Sequence, residues 1–307
     1  LVVLLACGDD ASPPDAAPDA AVDGATDASV DAAVDGSPDD AHVDMLEDVR
    51  VDVPDATRDD LPAPWRRGPD FPVPVDHHTT WIAQTDAGTF LYGLGGMEAD
   101  ASGQPVVIYD TIHRAAIADD GSLGAWSENA TPLPLPLGFH AMARFEGDGP
   151  LVIAGGVSME DGELRGSGLV LQSALSADGE FGAFAGERLL PGLVLHGTAI
   201  GVGDRIYLAG GGMGARGYSD AVTSYALGTE GGVAVFAEPR DETSLPRARS
   251  HHASVWVRDA WYLFGGLVGD GIASRAILRS TLDGDVLTAW EDAGTAASPQ
   301  LTGAAVA

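Results

Sequence analysis

The chain of 307 residues contains no lysine and a single cysteine, Cys7. All 16 basic residues are therefore arginine, and 46 acidic residues bring the formal net charge to −30. A chain this acidic repels phosphate backbones, which argues against nucleic acid as a partner. One cysteine forms no disulfide within the chain and supplies no cysteine-based metal cluster. Beyond the first few residues, no run is long and apolar enough to cross a bilayer as a helix.

The first seven residues carry a processing signal. Leu1–Ala6 is apolar, like the end of a signal peptide, and Leu4-Leu5-Ala6-Cys7 resembles the bacterial lipobox. This resemblance implies that the residues before Cys7 are removed and that Cys7 is lipidated. Acyl chains at Cys7 would hold the protein at a membrane without spanning it. We therefore expect an exported lipoprotein, on the periplasmic side of a membrane or on the cell surface.

Residues 8–60 form an acidic, low-complexity segment. Aspartate recurs every four residues from Asp15 to Asp39 and again from Asp40 to Asp52, with small residues and proline between. Like charges at this spacing oppose a helix, and the segment has too few large apolar residues to offset the entropy of ordering. The pattern predicts a disordered, extended linker rather than a calcium site, because the ligand spacing of a calcium loop is missing.

A pair of glycines returns about every 55 residues after this linker, each time behind a short apolar run. The pairs are Gly95-Gly96, Gly155-Gly156, Gly210-Gly211 and Gly265-Gly266. A histidine precedes each pair, and an aromatic residue follows each one after a further turn. These aromatic residues are Trp126, Phe184, Phe236 and Trp290. A period of this length indicates a repeat architecture.

Each period is typical of four short strands separated by Gly, Pro and Asp turns. The first strand is led by the histidine, the second ends in Gly-Gly, and the fourth carries the aromatic residue. The third strand is expected in runs such as Val106–Tyr109 and Ala221–Tyr225. Four antiparallel strands per repeat are characteristic of a β-propeller blade.

The combined motif resembles the kelch repeat family over residues 61–307. Leu245–Ala253 matches the start of that repeat best, because a Leu-Pro pair is followed by a strand that begins with Arg and His residues. Two repeats depart from the family pattern, with Phe184 and Phe236 where the family prefers Trp. The resemblance implies an all-β, kelch-type β-propeller, here with four complete repeats.

The sequence at both ends of the repeat region predicts a partial repeat. Leu61–Arg67 is expected to be a lone fourth strand, and Leu301–Val306 the first strand of a further repeat. Since kelch rings usually have about six or seven blades, the sequence is interpreted as truncated at both ends.

The segments after the glycine pairs differ most between repeats. Because variable loops on a rigid frame commonly bind ligands, we expect a binding face there. Its candidate polar contacts are Glu98, Asp161, Arg165, Arg216, Asp270 and Arg275.

The recurring histidines raise the question of a metal. If the histidine-led strands surround a channel, then His140, His196 and His251 would sit at equivalent heights, and imidazole is a common ligand. Because a histidine at this place belongs to the repeat pattern itself, we interpret it as structural. No metal site, cofactor or catalytic residue is predicted.

The function expected from these features is a membrane-anchored binding module for a protein or a glycan. A galactose-oxidase-like copper enzyme is rejected, because its Tyr–Cys crosslink needs a cysteine in the propeller and Cys7 lies outside it. A periplasmic kelch-type sugar epimerase or mutarotase stays open as the alternative, since it needs only acid/base side chains and an arginine clamp.

Overall fold

The computed structural model describes residues 67–100, 105–145, 149–188, 190, 194–213, 217–230, 233–269 and 271–296. Within these ranges the chain is all-β: every regular element is a strand, and every pairing is antiparallel. No helix of this part could therefore span a bilayer. The predicted lipobox with Cys7, the linker 8–60 and the partial strands at 61–66 and 301–306 lie outside the described residues.

Four sheets follow one another along the chain, and the four main strands of each are joined in chain order. The first sheet contains β1 (Thr79–Thr85), β2 (Gly88–Leu94), β5 (Ile112–Ile117) and β6 (Leu123–Glu128). The second contains β7 (Ala141–Arg144), β8 (Leu151–Ala154), β11 (Leu169–Ser173) and β12 (Ala185–Arg188). The third contains β13 (Thr198–Val202), β14 (Arg205–Ala209), β15 (Val222–Glu230) and β16 (Val233–Phe236), with β17 (Arg240–Asp241) also on β15. The fourth contains β19 (Ala253–Val257), β20 (Ala260–Phe264), β23 (Ala276–Asp283) and β24 (Val286–Leu287), with β25 (Glu291–Thr295) also on β23.

Smaller hairpins follow three of the glycine pairs, and we call them the post-glycine hairpins. They are β3 (Met97–Ala99) with β4 (Pro105–Ile108), β9 (Val157–Glu160) with β10 (Glu163–Gly166), and β21 (Leu267–Val268) with β22 (Ile272–Ala273). The short strand β18 (Arg249–Ser250) pairs with β21.

The apolar core lies between consecutive sheets. Tyr92 and Leu94 of the first sheet pack with Leu151 and Ile153 of the second. The second and third sheets share another core cluster, and the third and fourth sheets share one around Tyr207 and Trp261. A single sheet on its own would leave an apolar face exposed to water, so each sheet is stabilised by its neighbours.

The glycine pairs form the backbone joints between repeats. The second glycine donates its N–H to a carbonyl of the next repeat: Gly96 to Leu137 at 2.8 Å, and Gly211 to Arg249 at 2.8 Å. The first glycine lies so close to that segment that a Cβ on Gly210 would stand 2.7 Å from the Arg249 oxygen. Glycine is required because the repeats approach each other backbone to backbone.

The predicted strands before the glycines are confirmed as β2, β8, β14 and β20. The prediction of the third strand is right for the third repeat and wrong for the first. Val106–Ile108 lies in a post-glycine hairpin, while Ile112–Ile117 takes the third place against β2. Val106–Ile108 is entirely β-branched, whereas Ile112–Ile117 has isoleucine only at its two ends, so pairing overrides β propensity here.

Candidate functional site

One residue per repeat occupies the same left-handed turn directly before the first strand. These four residues, which we call the quartet, are His77, Phe139, His196 and His251, with φ between 51° and 59°. Their backbones are joined in series. The N–H of Phe139 donates to the His77 carbonyl at 3.1 Å, that of His196 to Phe139 at 3.1 Å, and that of His251 to His196 at 3.0 Å. The quartet therefore brings together residues more than fifty positions apart in sequence.

The quartet rings touch each other. The His196 ring stacks on His251 with centroids 3.5 Å apart, and its centroid lies 4.8 Å from that of His77. Phe139 packs on both sides, with centroids 4.2 Å from His77 and 4.5 Å from His196. All four side chains are partly exposed, so the ring cluster is open to solvent.

Carboxylate and hydroxyl groups hold two of the imidazoles. His77 Nδ1 lies 2.8 Å from a carboxylate oxygen of Asp76, and His251 Nδ1 lies 2.6 Å from Ser250 Oγ. Burial, followed by the charges of His251 and His77, lowers the pKa of His196 to about 2. His196 is therefore neutral at pH 7 and carries a lone pair on one ring nitrogen.

A second layer of histidines follows the quartet by one residue: His78, His140 and His252. His140 Nε2 lies 2.8 Å from Thr79 Oγ1 of the preceding repeat. Desolvation lowers the pKa of His140 to about 4 and that of His252 to about 3. Both sit against the first glycine of the preceding repeat's pair, Gly95 and Gly210 respectively. These contacts join the second layer to the preceding repeats. The interpretation of the repeated histidines as structural stays a prediction.

The expected grouping of His140 with His196 and His251 is wrong. His140 belongs to the second layer, and Phe139 occupies the quartet position of its repeat. His77 and His251 lie in bends before β1 and β19 rather than within those strands. The sequence interpretation left His77 out of this group. Aligning His196 with His77, the first residue of the pair His77-His78, instead of with His140 would have included it.

The segments after the glycines lie beside the quartet. In each repeat, the residue after the glycine pair bridges to the residue just before the quartet position. These pairs are Asp76 with Met97, Gly138 with Val157, Leu195 with Gly212, and Ser250 with Leu267. A small apolar cluster of Met97, Ile108 and Val157 with Phe139 and Leu195 joins the hairpins of the first two repeats to the quartet.

Exposed apolar side chains are concentrated on the post-glycine hairpins. Of the six large hydrophobic residues found exposed in the described ranges, four lie there: Val106, Val107, Leu164 and Ile272. Ile272 is the most exposed of the six, at 64%. The other two, Val257 and Val286, lie on the main sheets.

The predicted contact residues that the structure describes have different surroundings. Glu98 accepts a hydrogen bond from the Tyr109 hydroxyl at 3.0 Å, and Asp161 occupies the turn between β9 and β10. Arg165 pairs with Glu163 at 2.5 Å, whereas Arg275 donates twice to the Ala296 carbonyl at 2.9 and 2.8 Å. Arg216 and Asp270 lie outside the described residues. A ligand role for all six stays a prediction.

An arginine–carboxylate cluster lies elsewhere, at the seam between the third and fourth sheets. Arg240 joins Glu242 and Asp285, and the Glu242 carboxylate also accepts hydrogen bonds from Ser224 Oγ and from the Leu287 N–H. The Glu242 side chain is fully enclosed. These contacts tie two sheets together.

No protein-family model and no curated protein matches the chain. Among solved structures, the chain is similar to that of YjhT, with a TM-score of 0.53 and 15% sequence identity. The match covers 75% of this chain and 73% of YjhT. At this identity the likeness concerns the fold alone.

Proposed function

We propose that the protein is a lipid-anchored binding module whose kelch-type β-propeller carries a ligand face at the quartet and the post-glycine hairpins. Four successive four-stranded sheets, each packed on the next, support the propeller architecture. The likeness to YjhT covers most of both chains and agrees with a shared architecture.

The observation that carries the binding role is the concentration of exposed apolar side chains on the hairpins beside the quartet. Exposed hydrophobic residues that gather on one part of a surface are typical of interaction sites. Aliphatic side chains such as Leu164 and Ile272 favour a protein partner, while the half-exposed quartet rings also suit a glycan. A lipid at Cys7 and the acidic linker would hold this face away from the membrane, at the periplasmic or outer surface.

The sugar-processing enzyme remains the second candidate. It needs an acid or base beside an arginine in an open site, whereas the Glu242 carboxylate of the arginine–carboxylate cluster is enclosed and hydrogen-bonded within the protein. The quartet histidines and the carboxylates of the post-glycine hairpins, such as Glu98 and Asp161, are groups at the ligand face that could move a proton. Mutarotation of free sugars, followed by polarimetry, would reveal such an activity.

The binding role is tested by placing charges on the hairpins. The variant Leu164→Asp/Ile272→Asp should lose its ligand, because it introduces charge into the apolar contact area. The control Val257→Asp/Val286→Asp changes similarly exposed residues on the main sheets and should retain the ligand. Binding is read on an array of bacterial envelope glycans and by crosslinking to envelope proteins in producing cells.

Ligand loss confined to the hairpin variant would support the proposed face. Equal binding by both variants, or no binding by the parent protein in either assay, would refute it. The same cells, fed an alkyne-tagged fatty acid, should label the protein at Cys7, and the label should vanish in Cys7→Ser.

A further inference from the structure

Three imidazoles from three repeats meet in the quartet. The nitrogens that His77, His196 and His251 can offer as ligands all lie within 4.8 Å of one another. No other group of three or more His, Cys, Asp or Glu residues with this geometry is found in the described ranges. The backbone hydrogen bonds between quartet residues fix the spacing of the three Cα atoms.

We propose that His77, His196 and His251 form a binding site for a divalent first-row transition metal ion, with Zn²⁺ as the reference ion. Imidazole nitrogen is a preferred ligand of Zn, Cu and Ni, whereas Ca²⁺ and Mg²⁺ prefer oxygen. Three histidines are a complete protein ligand set for a zinc site that keeps one position open. The site goes beyond the binding role proposed above and does not depend on it.

The geometry requires only side-chain adjustment. With Zn–N bonds of about 2.0–2.1 Å, the nitrogens of a tetrahedral site stand about 3.4 Å apart. The three imidazoles must therefore close by about 1.4 Å at most from the distance found here. Because the side chains are only half-buried, rotation about χ1 and χ2 can achieve this closure while the backbone stays in place.

The neighbours of the imidazoles suit a metal site. The Asp76 carboxylate at His77 Nδ1 fixes the tautomer that presents Nε2, which is the usual carboxylate–histidine–metal arrangement. Ser250 contacts Nδ1 of His251 in a similar way.

Phe139 leaves one side of the site without a ligand. It occupies the fourth quartet position and packs on His77 and His196. A bound ion would have three protein nitrogens and one position available to water or to an external ligand. Phe139→His places a fourth imidazole at the same left-handed turn and should tighten Zn²⁺ binding.

The test is calorimetric titration of the chelator-treated protein with ZnCl₂. Excess Ca²⁺ is present to occupy the carboxylates of the acidic linker. The parent protein should bind one Zn²⁺ per chain. His196→Gln should weaken binding by more than the ~10–100-fold that loss of an outer-shell partner typically costs, and Asp76→Asn should weaken it by about 10-fold. His140→Gln, in the second layer, should leave the affinity unchanged.

Electron paramagnetic resonance of the Cu²⁺-loaded protein identifies the ligand atoms. Nitrogen hyperfine structure that is present in the parent protein and in His140→Gln, and reduced in His196→Gln, would support the site. Absence of Zn²⁺ binding, a spectrum with oxygen ligands only, or equal losses in His196→Gln and His140→Gln would overturn it. Circular dichroism of each variant shows that the fold is retained.

Discussion

At the residue scale, a glycine of the pairs can be required for two reasons, a positive φ or the lack of space for a Cβ against the next repeat. A sequence pattern does not separate them. Gly210 has φ +61° and lies against the Arg249 carbonyl and the His252 ring. Gly203, in the turn between β13 and β14, has the same φ of +61°, and a Cβ added there would meet no atom within 4 Å. The two residues share the backbone conformation, and only Gly210 is also confined by a neighbouring repeat.

Comparison of Gly203 with Gly210 separates the cost of backbone strain from the cost of steric exclusion. Gly203→Ala should cost about 1 kcal/mol of unfolding free energy, from left-handed strain alone. Gly210→Ala should cost about 3 kcal/mol, because the new Cβ also forces two repeats apart. Urea unfolding measures both values, and equal losses would show that contact between the repeats is not what demands glycine at Gly210.

At the element scale, the second strand of a repeat is joined by its tyrosine to a turn of the next repeat. The Tyr92 hydroxyl donates to the Gly179 carbonyl at 3.0 Å, and the Tyr207 hydroxyl donates to the Asp285 carbonyl at 2.7 Å. Tyr92 and Tyr207 both stand three residues before a glycine pair, as does Tyr262. The tyrosine of the motif is therefore a link between sheets as well as a core residue.

Removal of one such hydroxyl should weaken the joint by the value of one hydrogen bond. Tyr207→Phe should lower the unfolding free energy by about 1 kcal/mol, a fall of roughly 2–4 °C in Tm. Tyr262→Phe is the control, because its hydroxyl makes no hydrogen bond within the described part of the chain, and its Tm should barely change. Thermal unfolding followed by circular dichroism measures both, and similar shifts would contradict a linking role.

At the scale of the whole molecule, the second histidine layer makes stability depend on pH. The pKa of His140 is about 4 in the folded state, against 6.5 for an ordinary histidine, because burial and neighbouring His78 disfavour the charged form. The unfolded chain therefore binds more protons between these values. The contribution of His140 is complete above pH 6.5 and is lost as the pH falls towards 4.

His140→Gln removes this titration and should flatten the pH dependence. Between pH 7 and pH 4, the parent protein should lose about 3 kcal/mol more unfolding free energy than the variant. The parent protein must be compared with the variant, because protonation of carboxylates between pH 7 and pH 4 also relieves repulsion in a chain of net charge −30. Urea titrations at several pH values test this, and parallel curves for the two proteins would contradict it.

The repeat period, the strands before the glycines and the fourth-strand places of Trp126 and Phe236 were predictable from sequence, whereas Phe184 and Trp290 lie just before β12 and β25. Leu151–Ala154, for example, is an apolar run bounded by turn residues, and it forms β8 with those bounds. The third strand of the first repeat was not predictable, since Val106–Ile108 has the higher β propensity and yet Ile112–Ile117 takes that place. Pairing with β2 decided it, through contacts such as Leu94 with Ile112.

By itself, the sequence determined the all-β class and the repeated four-strand unit, because turn residues and apolar runs act over a few positions. Only the tertiary structure decided which histidines meet. His77, His196 and His251 are brought together by left-handed turns and by backbone hydrogen bonds between repeats. Those bonds join residues 55 to 62 positions apart in sequence, and no local pattern specifies such distances.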